Sequence, residues 1–210
     1  MWANRYTATA IAMAVCLILS GVLLVFCFSA QAEPIDDVIA AFERGDFTNA
    51  IDSLRPLLDR RDPSAMAMMG RMYETGSGVP KDDSKAAEWY LKSLQVPENK
   101  RFHPEPIETL VAQLYRDARG VPQSYAEAAS WYRKAAERGF APAQDGLASL
   151  YIKGHGVIQD FVLAYMWLNL AAASTGDESV IGRRDALAAL MSPDQVAEAQ
   201  KMTREWKPVR

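Results

Sequence analysis

The residues that could support metal or nucleophilic chemistry are few and widely separated. His103 and His155 are the two histidines of the 210-residue chain, and Cys16 and Cys27 are its two cysteines. Zinc sites draw on such ligands at short spacings, which this sequence does not offer. There is also no Gly-x-Ser-x-Gly elbow, no Ser-x-x-Lys pair and no glycine-rich phosphate loop. We therefore predict no catalytic residue, no metal ligand, no cofactor and no enzymatic activity.

Both histidines fit better in turns. His155 stands between two glycines, at a position that Ser77 and Arg119 occupy in two similar segments. A position that accepts Ser, Arg and His is typical of a tolerant turn tip. His103 lies in the sequence His-Pro-Glu-Pro, which indicates a loop.

The cysteines belong to an N-terminal targeting segment. Residues 8–28 carry no charge, Arg5 precedes them, and Ala30 and Ala32 follow, which predicts a signal peptide cleaved after Ala32. The protein would then be periplasmic or secreted, and its mature part would contain no cysteine. The apolar run is also long enough for an uncleaved inner-membrane anchor over residues 8–28, and only then would the protein contact the membrane.

Composition excludes several classes of protein. Half of the residues are hydrophobic, 23% are charged and the net charge is −3, which argues against disorder. A sequence pI near 5.5 argues against nucleic acid as a partner. The chain is long enough for one or two domains with a sizeable core.

A three-fold internal repeat organises the rest of the chain. Its equivalent positions are separated by 42 and then 36 residues. The fixed columns are a tyrosine (Tyr73, Tyr115, Tyr151), a turn centred on Ser77, Arg119 and His155, an alanine (Ala86, Ala128, Ala164) and a tryptophan (Trp89, Trp131, Trp167). The six extra residues of the first interval lie in the proline-rich segment 96–106, which predicts a loop insertion.

Each repeat is predicted to form two helices joined by the Gly-x-Gly turn. Glycine accepts the left-handed conformation that ends the first helix, and Ala118 replaces the first glycine in the second repeat. Gly70, Ala112 and Ala148 form a small-residue column. We expect this column to let the second helix approach, with the tryptophan filling the gap.

The signature Tyr-x-x-Gly-x-Gly-Val…Ala-x-x-Trp-Tyr-x-Lys-Ala-Ala resembles the Sel1-like repeat family, which is related to the tetratricopeptide repeats. Its best copy runs from Tyr115 to Ala136. The resemblance implies an all-α fold, a right-handed α/α superhelical solenoid. A cysteine-rich branch of this family is linked to β-lactam binding, but this sequence lacks its cysteines and a serine motif.

The predicted organisation has four parts. They are a signal peptide or anchor at 1–32, N-terminal capping helices at 33–61, three repeats at 62–174 and C-terminal capping helices at 175–210. The repeats occupy about 62–97, 104–139 and 140–174. Ala50 lies 36 residues before Ala86, so the N-terminal cap resembles a degenerate repeat. Ser192 to Gln195 predicts a capping box that opens the last helix.

The variable positions of the first helices are the candidate binding residues, because they would line the inner, concave face of the solenoid. They are Arg71, Glu74, Gln113, Arg116, Asp145, Ser149 and Ile152, in columns that also hold Ala67 and Thr109. A merely solvated face explains these columns equally well. The resemblance implies an envelope adaptor or regulator with a protein or peptide partner. The alternatives are an envelope enzyme acting on cell-wall peptides or β-lactams, and an anchored structural protein.

Overall fold

The structure is a computed structural model and describes residues 34–97 and 102–209. The predicted signal peptide or anchor, its cleavage site at Ala32 and part of the predicted insertion lie outside these residues. In the described ranges the secondary structure is entirely helical, as the all-α prediction requires. None of these helices combines the length and the apolar character needed to cross a bilayer.

Ten helices follow one another in the described residues. The N-terminal pair is α1 (Pro34–Glu43) and α2 (Phe47–Asp59). The three repeats contribute α3 (Pro63–Thr75) and α4 (Asp83–Leu94), α5 (Glu105–Asp117) and α6 (Tyr125–Glu137), and α7 (Ala141–Lys153) and α8 (Phe161–Thr175). The chain ends with α9 (Glu178–Ala188) and α10 (Pro193–Glu205).

A fixed capping column starts the second helix of every repeat. The side chains of Asp82, Ser124 and Asp160 each accept a hydrogen bond from the backbone N–H three residues later, at 3.0, 3.2 and 2.9 Å. Such a cap satisfies a backbone donor that the helix itself leaves unpaired. The predicted capping box between Ser192 and Gln195 is present at the start of α10.

A left-handed residue ends the first helix of every repeat, as the Gly-x-Gly pattern predicts. Gly76, Ala118 and Gly154 have φ values of 75°, 57° and 66°. Alanine pays a steric penalty in this conformation, so Ala118 costs about 1 kcal/mol relative to glycine.

Helices pack mainly with their neighbours in the chain, as expected of a solenoid. α3 packs on α4, α5 on α6 and α7 on α8, while α1 and α2 form a similar pair before the first repeat. At the other end α10 packs on α8 instead of α9. The C-terminal tail then returns to the end of α6, where the Val209 N–H donates to the carbonyl of Glu137 at 2.8 Å.

The tryptophan column is buried in only one of the three repeats, although Trp131 packs against two hydrophobic clusters. Trp89 and Trp131 are half-buried, with the ammonium groups of Lys92 and Lys134 over their rings. Tyr90 and Tyr132, the next residues in the chain, are the side chains that are almost fully buried. In the third repeat Trp167 is itself buried and meets Trp206 edge to face.

Candidate partner-binding surface

The turn edge of the stack sets how closely consecutive repeats approach. The second glycine of each Gly-x-Gly turn lies against the start of the preceding second helix. A Cβ atom at Gly120 would collide with the backbone of Asp83, and one at Gly156 with the backbone of Tyr125. Gly78 lies similarly against Phe47, at the start of α2. The first helices α3, α5 and α7 are thereby held side by side, and we call their exposed side the first-helix surface.

In the first repeat a buried tyrosine and a carboxylate meet below this surface. The Tyr90 hydroxyl donates to Glu74 Oε2 at 2.8 Å, and the Arg119 guanidinium donates to Glu74 at 3.1 Å and to Asp83 at 3.0 Å. Burial, with the Glu74 carboxylate beside it, raises the pKa of Tyr90 well above its usual range. The carboxylate of Glu74 is therefore already paired with the Tyr90 hydroxyl and the Arg119 guanidinium.

In the second repeat an arginine takes the place of this carboxylate. Arg116 Nη1 donates to the Tyr132 hydroxyl at 3.1 Å and the same guanidinium pairs with Asp117 at 2.7 Å. Burial raises the pKa of Tyr132 to about 12. The hydrogen bond to Asp117 raises the pKa of Arg116, and the same bond lowers the pKa of Asp117. Equivalent positions thus present different chemistry on the same scaffold.

Each tyrosine ring also lies against a glycine of a first helix, and the two glycines belong to different positions of the repeat. A Cβ at Gly70 would lie 2.7 Å from the ring of Tyr90, so this ring rests on α3 of its own repeat. The ring of Tyr132 rests on Gly146 of α7, in the following repeat. Leu110 is the residue of α5 equivalent to Gly146. The Tyr132 ring therefore packs against a glycine of the following repeat, whereas the equivalent residue after Tyr90 is the larger Leu110.

A cavity of about 400 Å³, which we call the apolar cavity, opens at the first junction. Its wall on α3 includes Ala67 and Met68, and its wall on α5 includes Ile107 and Leu110. The remaining lining residues are Ser64, Arg71, Glu74, Thr75, Tyr90, Phe102, His103 and Pro106. Its size falls within the range of about 300–1,000 Å³ that is typical of ligand sites.

A second cavity of about 470 Å³, the polar cavity, lies one repeat further along. Its lining residues are Arg116, Asp117, Gln123, Tyr125, Ser149, Leu150, Lys153 and His155. The His155 ring packs on the Tyr125 ring with centroids 4.4 Å apart. His155 therefore does more than occupy a turn tip, because its ring covers the start of α6.

The seven predicted binding residues are divided between these places. Arg71 and Glu74 line the apolar cavity, and Arg116 and Ser149 line the polar cavity. Asp145 and Ser149 both accept from Arg183 of α9, which covers this end of the surface. Gln113, Asp145 and Ile152 line neither cavity. Of the other two residues in these columns, Thr109 is buried and Ala67 is a wall of the apolar cavity.

The sequence reasoning missed the wall that closes the apolar cavity on the α5 side. Phe102, His103 and Pro106 come from the proline-rich insertion, for which the sequence predicts only a loop. The signal was available in Phe102, an aromatic residue next to a helix start, and in Leu110 at the position where the third repeat has glycine. No group of metal ligands is found among residues 34–97 and 102–209.

These features define a class, an α-helical repeat protein whose helix pairs stack through a turn that recurs in each repeat. The sequence model of the family described as Sel1 repeat matches residues 63–95, 108–140 and 141–175. The chain therefore belongs to the Sel1-like repeat family, as its sequence signature predicts. Repeats of this family bind protein partners.

Relatives and solved structures agree with this assignment. The chain is 32% identical over 109 residues to the alginate biosynthesis protein AlgK of Azotobacter vinelandii, and it spans 22% of that protein. It is similar to a Sel1 repeat protein from Oxalobacter formigenes, with a TM-score of 0.59 and 26% identity over 67% of this chain and 55% of that one. A protective antigen of uropathogenic Escherichia coli, c5321, shares the fold with a TM-score of 0.51 and 20% identity, over 84% of this chain and 46% of that one.

Proposed function

We propose that this protein is an exported adaptor or regulator that binds a protein partner along the first-helix surface in the cell envelope. The observation that carries the proposal is the position of two cavities along that surface, one apolar and one polar, lined by four of the variable residues. Side chains of different chemistry on a repeated scaffold suit recognition of an extended segment or a helix.

The comparisons support an interaction role in general terms. The family consists of interaction scaffolds, and the name of the curated relative assigns that protein to alginate biosynthesis. Because the chain spans only about a fifth of that relative, the partner and pathway of this protein are not carried over from it.

The proposed role is tested by substituting Arg71, Gln113 and Arg116 together by alanine. These side chains lie on three turns of the first-helix surface, and none of them is buried. We expect capture of a partner from envelope extracts, identified by mass spectrometry and repeated with the purified partner, to fall about tenfold or more. Thermal unfolding should change little.

The matched control replaces Glu88, Lys92 and Ser130 by alanine, because these residues are exposed on the second helices instead. The control should capture the partner like the wild type. Capture that survives the first-helix substitutions unchanged would show that the surface is assigned wrongly.

The proposed export has its own test, N-terminal sequencing of the mature protein. A chain that begins at Glu33 indicates cleavage after Ala32 and a periplasmic or secreted protein. A chain that begins at Met1 indicates the anchored form.

A further inference from the structure

We infer that the apolar cavity receives one large apolar side chain of a partner segment, and that an acidic side chain next to it in that segment pairs with Arg71. The inference rests on the proposed function and specifies the chemistry of the partner at one point of the first-helix surface.

The interior of the cavity determines the apolar part of the ligand. Met68, Ile107, Leu110 and Phe102 contribute hydrocarbon surface, and Ala67 leaves room between the two first helices. Filling this space with a leucine or phenylalanine side chain removes apolar surface from water on both partners. A single anchor in a pocket of this kind commonly carries much of the binding energy of an interface.

The rim of the cavity determines the charged part of the ligand. Within the described ranges no carboxylate lies within ion-pairing distance of the Arg71 guanidinium, which sits 4.8 Å from the centre of the Phe42 ring. Among the described residues that line the cavity, Glu74 is the only carboxylate, and it is already bonded to Tyr90 and Arg119. The available charge is therefore positive, and an arginine held over an aromatic ring is well placed for a carboxylate.

The same reasoning excludes a basic partner residue at this point. A lysine or arginine of the partner beside Arg71 would bring two like charges together on a partly desolvated surface, which disfavours binding. A purely apolar segment would fill the cavity but bring no carboxylate to the Arg71 guanidinium. The chemistry of the cavity thus selects an apolar residue with an acidic neighbour.

The test begins with the selection of peptides on the full-length chain from a random dodecapeptide library displayed on phage. Selected peptides should share a large apolar residue with Asp or Glu within one or two positions. Their affinities are then measured by fluorescence anisotropy, and changing the apolar residue to alanine should weaken binding about tenfold or more.

Two variants fill the cavity from opposite walls, Ala67→Leu on α3 and Leu110→Trp on α5. Each should weaken binding of the selected peptides about tenfold or more. Ala126→Leu, at an exposed position of α6, should leave their binding unchanged. Thermal unfolding is measured for each variant, so that loss of binding by a folded protein is separated from loss of the fold.

A third variant, Arg71→Glu, should bind the acidic peptides more weakly. It should instead prefer peptides in which the acidic residue is replaced by lysine. Arg204→Glu makes the same change in charge at an exposed position of α10 and should leave the preference unchanged. Failure to enrich any peptide, or peptides that bind the filled variants like the wild type, would overturn the inference. If such peptides lose binding when Arg71, Gln113 and Arg116 are replaced together, the proposed function stands without the inference; if they do not, both fail.

Discussion

The first and second repeats meet differently from the second and third, although both junctions are built on the same columns. At the second junction Tyr132 rests on Gly146 of the next repeat, and only Arg138, Gly139 and Phe140 connect α6 to α7. At the first junction Tyr90 rests on Gly70 of its own repeat, and the connection from α4 to α5 is longer. The first junction therefore combines a longer connection with the apolar cavity, and the second combines a short connection with the polar cavity.

The largest difference in stability between the first and third repeats is expected at the tryptophan column. Trp167→Ala removes a side chain that is only 7% exposed and should cost about 3–5 kcal/mol of unfolding free energy. Trp89→Ala, at the equivalent half-buried position, should cost only about 1 kcal/mol. Urea unfolding of both variants checks this, and equal losses would contradict the difference in burial.

Substitution of the second turn glycine should destabilise the protein to a similar extent at both junctions. Gly120→Ala and Gly156→Ala each place a Cβ against the backbone of the preceding helix, at φ values of 70° and 71°. Conformational strain and collision together should cost about 3 kcal/mol in each case. Thermal unfolding measures both, with Gly182→Ala as control because a Cβ there meets nothing within 4 Å. A loss at one glycine without the other would mean that the turns differ.

Substitution of the two helical glycines that lie against the tyrosine rings should affect the two junctions differently. Gly146→Ala forces the Tyr132 ring out of its place in a buried hydrophobic cluster. We expect this change to lower the free energy of unfolding by about 2 kcal/mol. In Gly70→Ala the Tyr90 ring can move toward the adjoining apolar cavity, and alanine favours the helix by about 1 kcal/mol. We expect chemical denaturation to show a net change close to zero for Gly70→Ala, and a loss as large as that of Gly146→Ala would contradict the open junction.

The smallest expected effect is a pH dependence of stability that arises from one buried carboxyl group, that of Glu108. Burial raises the pKa of the Glu108 carboxyl above its ordinary 4.5, although Arg138 at 2.9 Å opposes the shift. The folded state then holds a proton that the unfolded state has released, so this group loses stability as the pH rises above 4.5. Glu108→Gln, which copies Gln144 of the third repeat, should flatten that fall. Unfolding curves of both proteins across this range provide the check, and parallel pH profiles would rule out the effect.

The elements of the fold were predictable because their signals are local and repeated. The caps at Asp82, Ser124 and Asp160 and the left-handed turn residues depend on a few neighbouring positions, and the repeat displays them three times. Even the strained alanine at 118 follows from alignment with two glycines.

The choice between tyrosine and tryptophan as the core residue was not predicted, since adjacent residues at the edge of a helical stripe share the same period. A signal was nevertheless present in the sequence. Lys92 and Lys134 follow the half-buried tryptophans at three residues, while Leu170 takes that position after the buried Trp167. A lysine at this spacing needs its charged end in water, so it marks a tryptophan face near solvent.

The two cavities were beyond the sequence because they depend on distances between repeats. The variable columns include four residues that line these cavities, Arg71, Glu74, Arg116 and Ser149. They could not show that Arg183 of α9 covers Asp145, nor that Phe102 completes a wall across from α3. Both contacts join residues from different elements that no repeat period relates.

The close approach of Gly120 and Gly156 to the backbone of the preceding helix has a consequence for how such a chain can change. The spacing of consecutive repeats is set at the turns, by backbone against backbone, whereas the six extra residues of the first interval belong to a different connection, the one between α4 and α5. Insertions there can therefore vary in length and composition while the register of the stack is kept. A repeat protein of this design can acquire a new cavity between two repeats by lengthening one connection, without rebuilding the elements that hold it together.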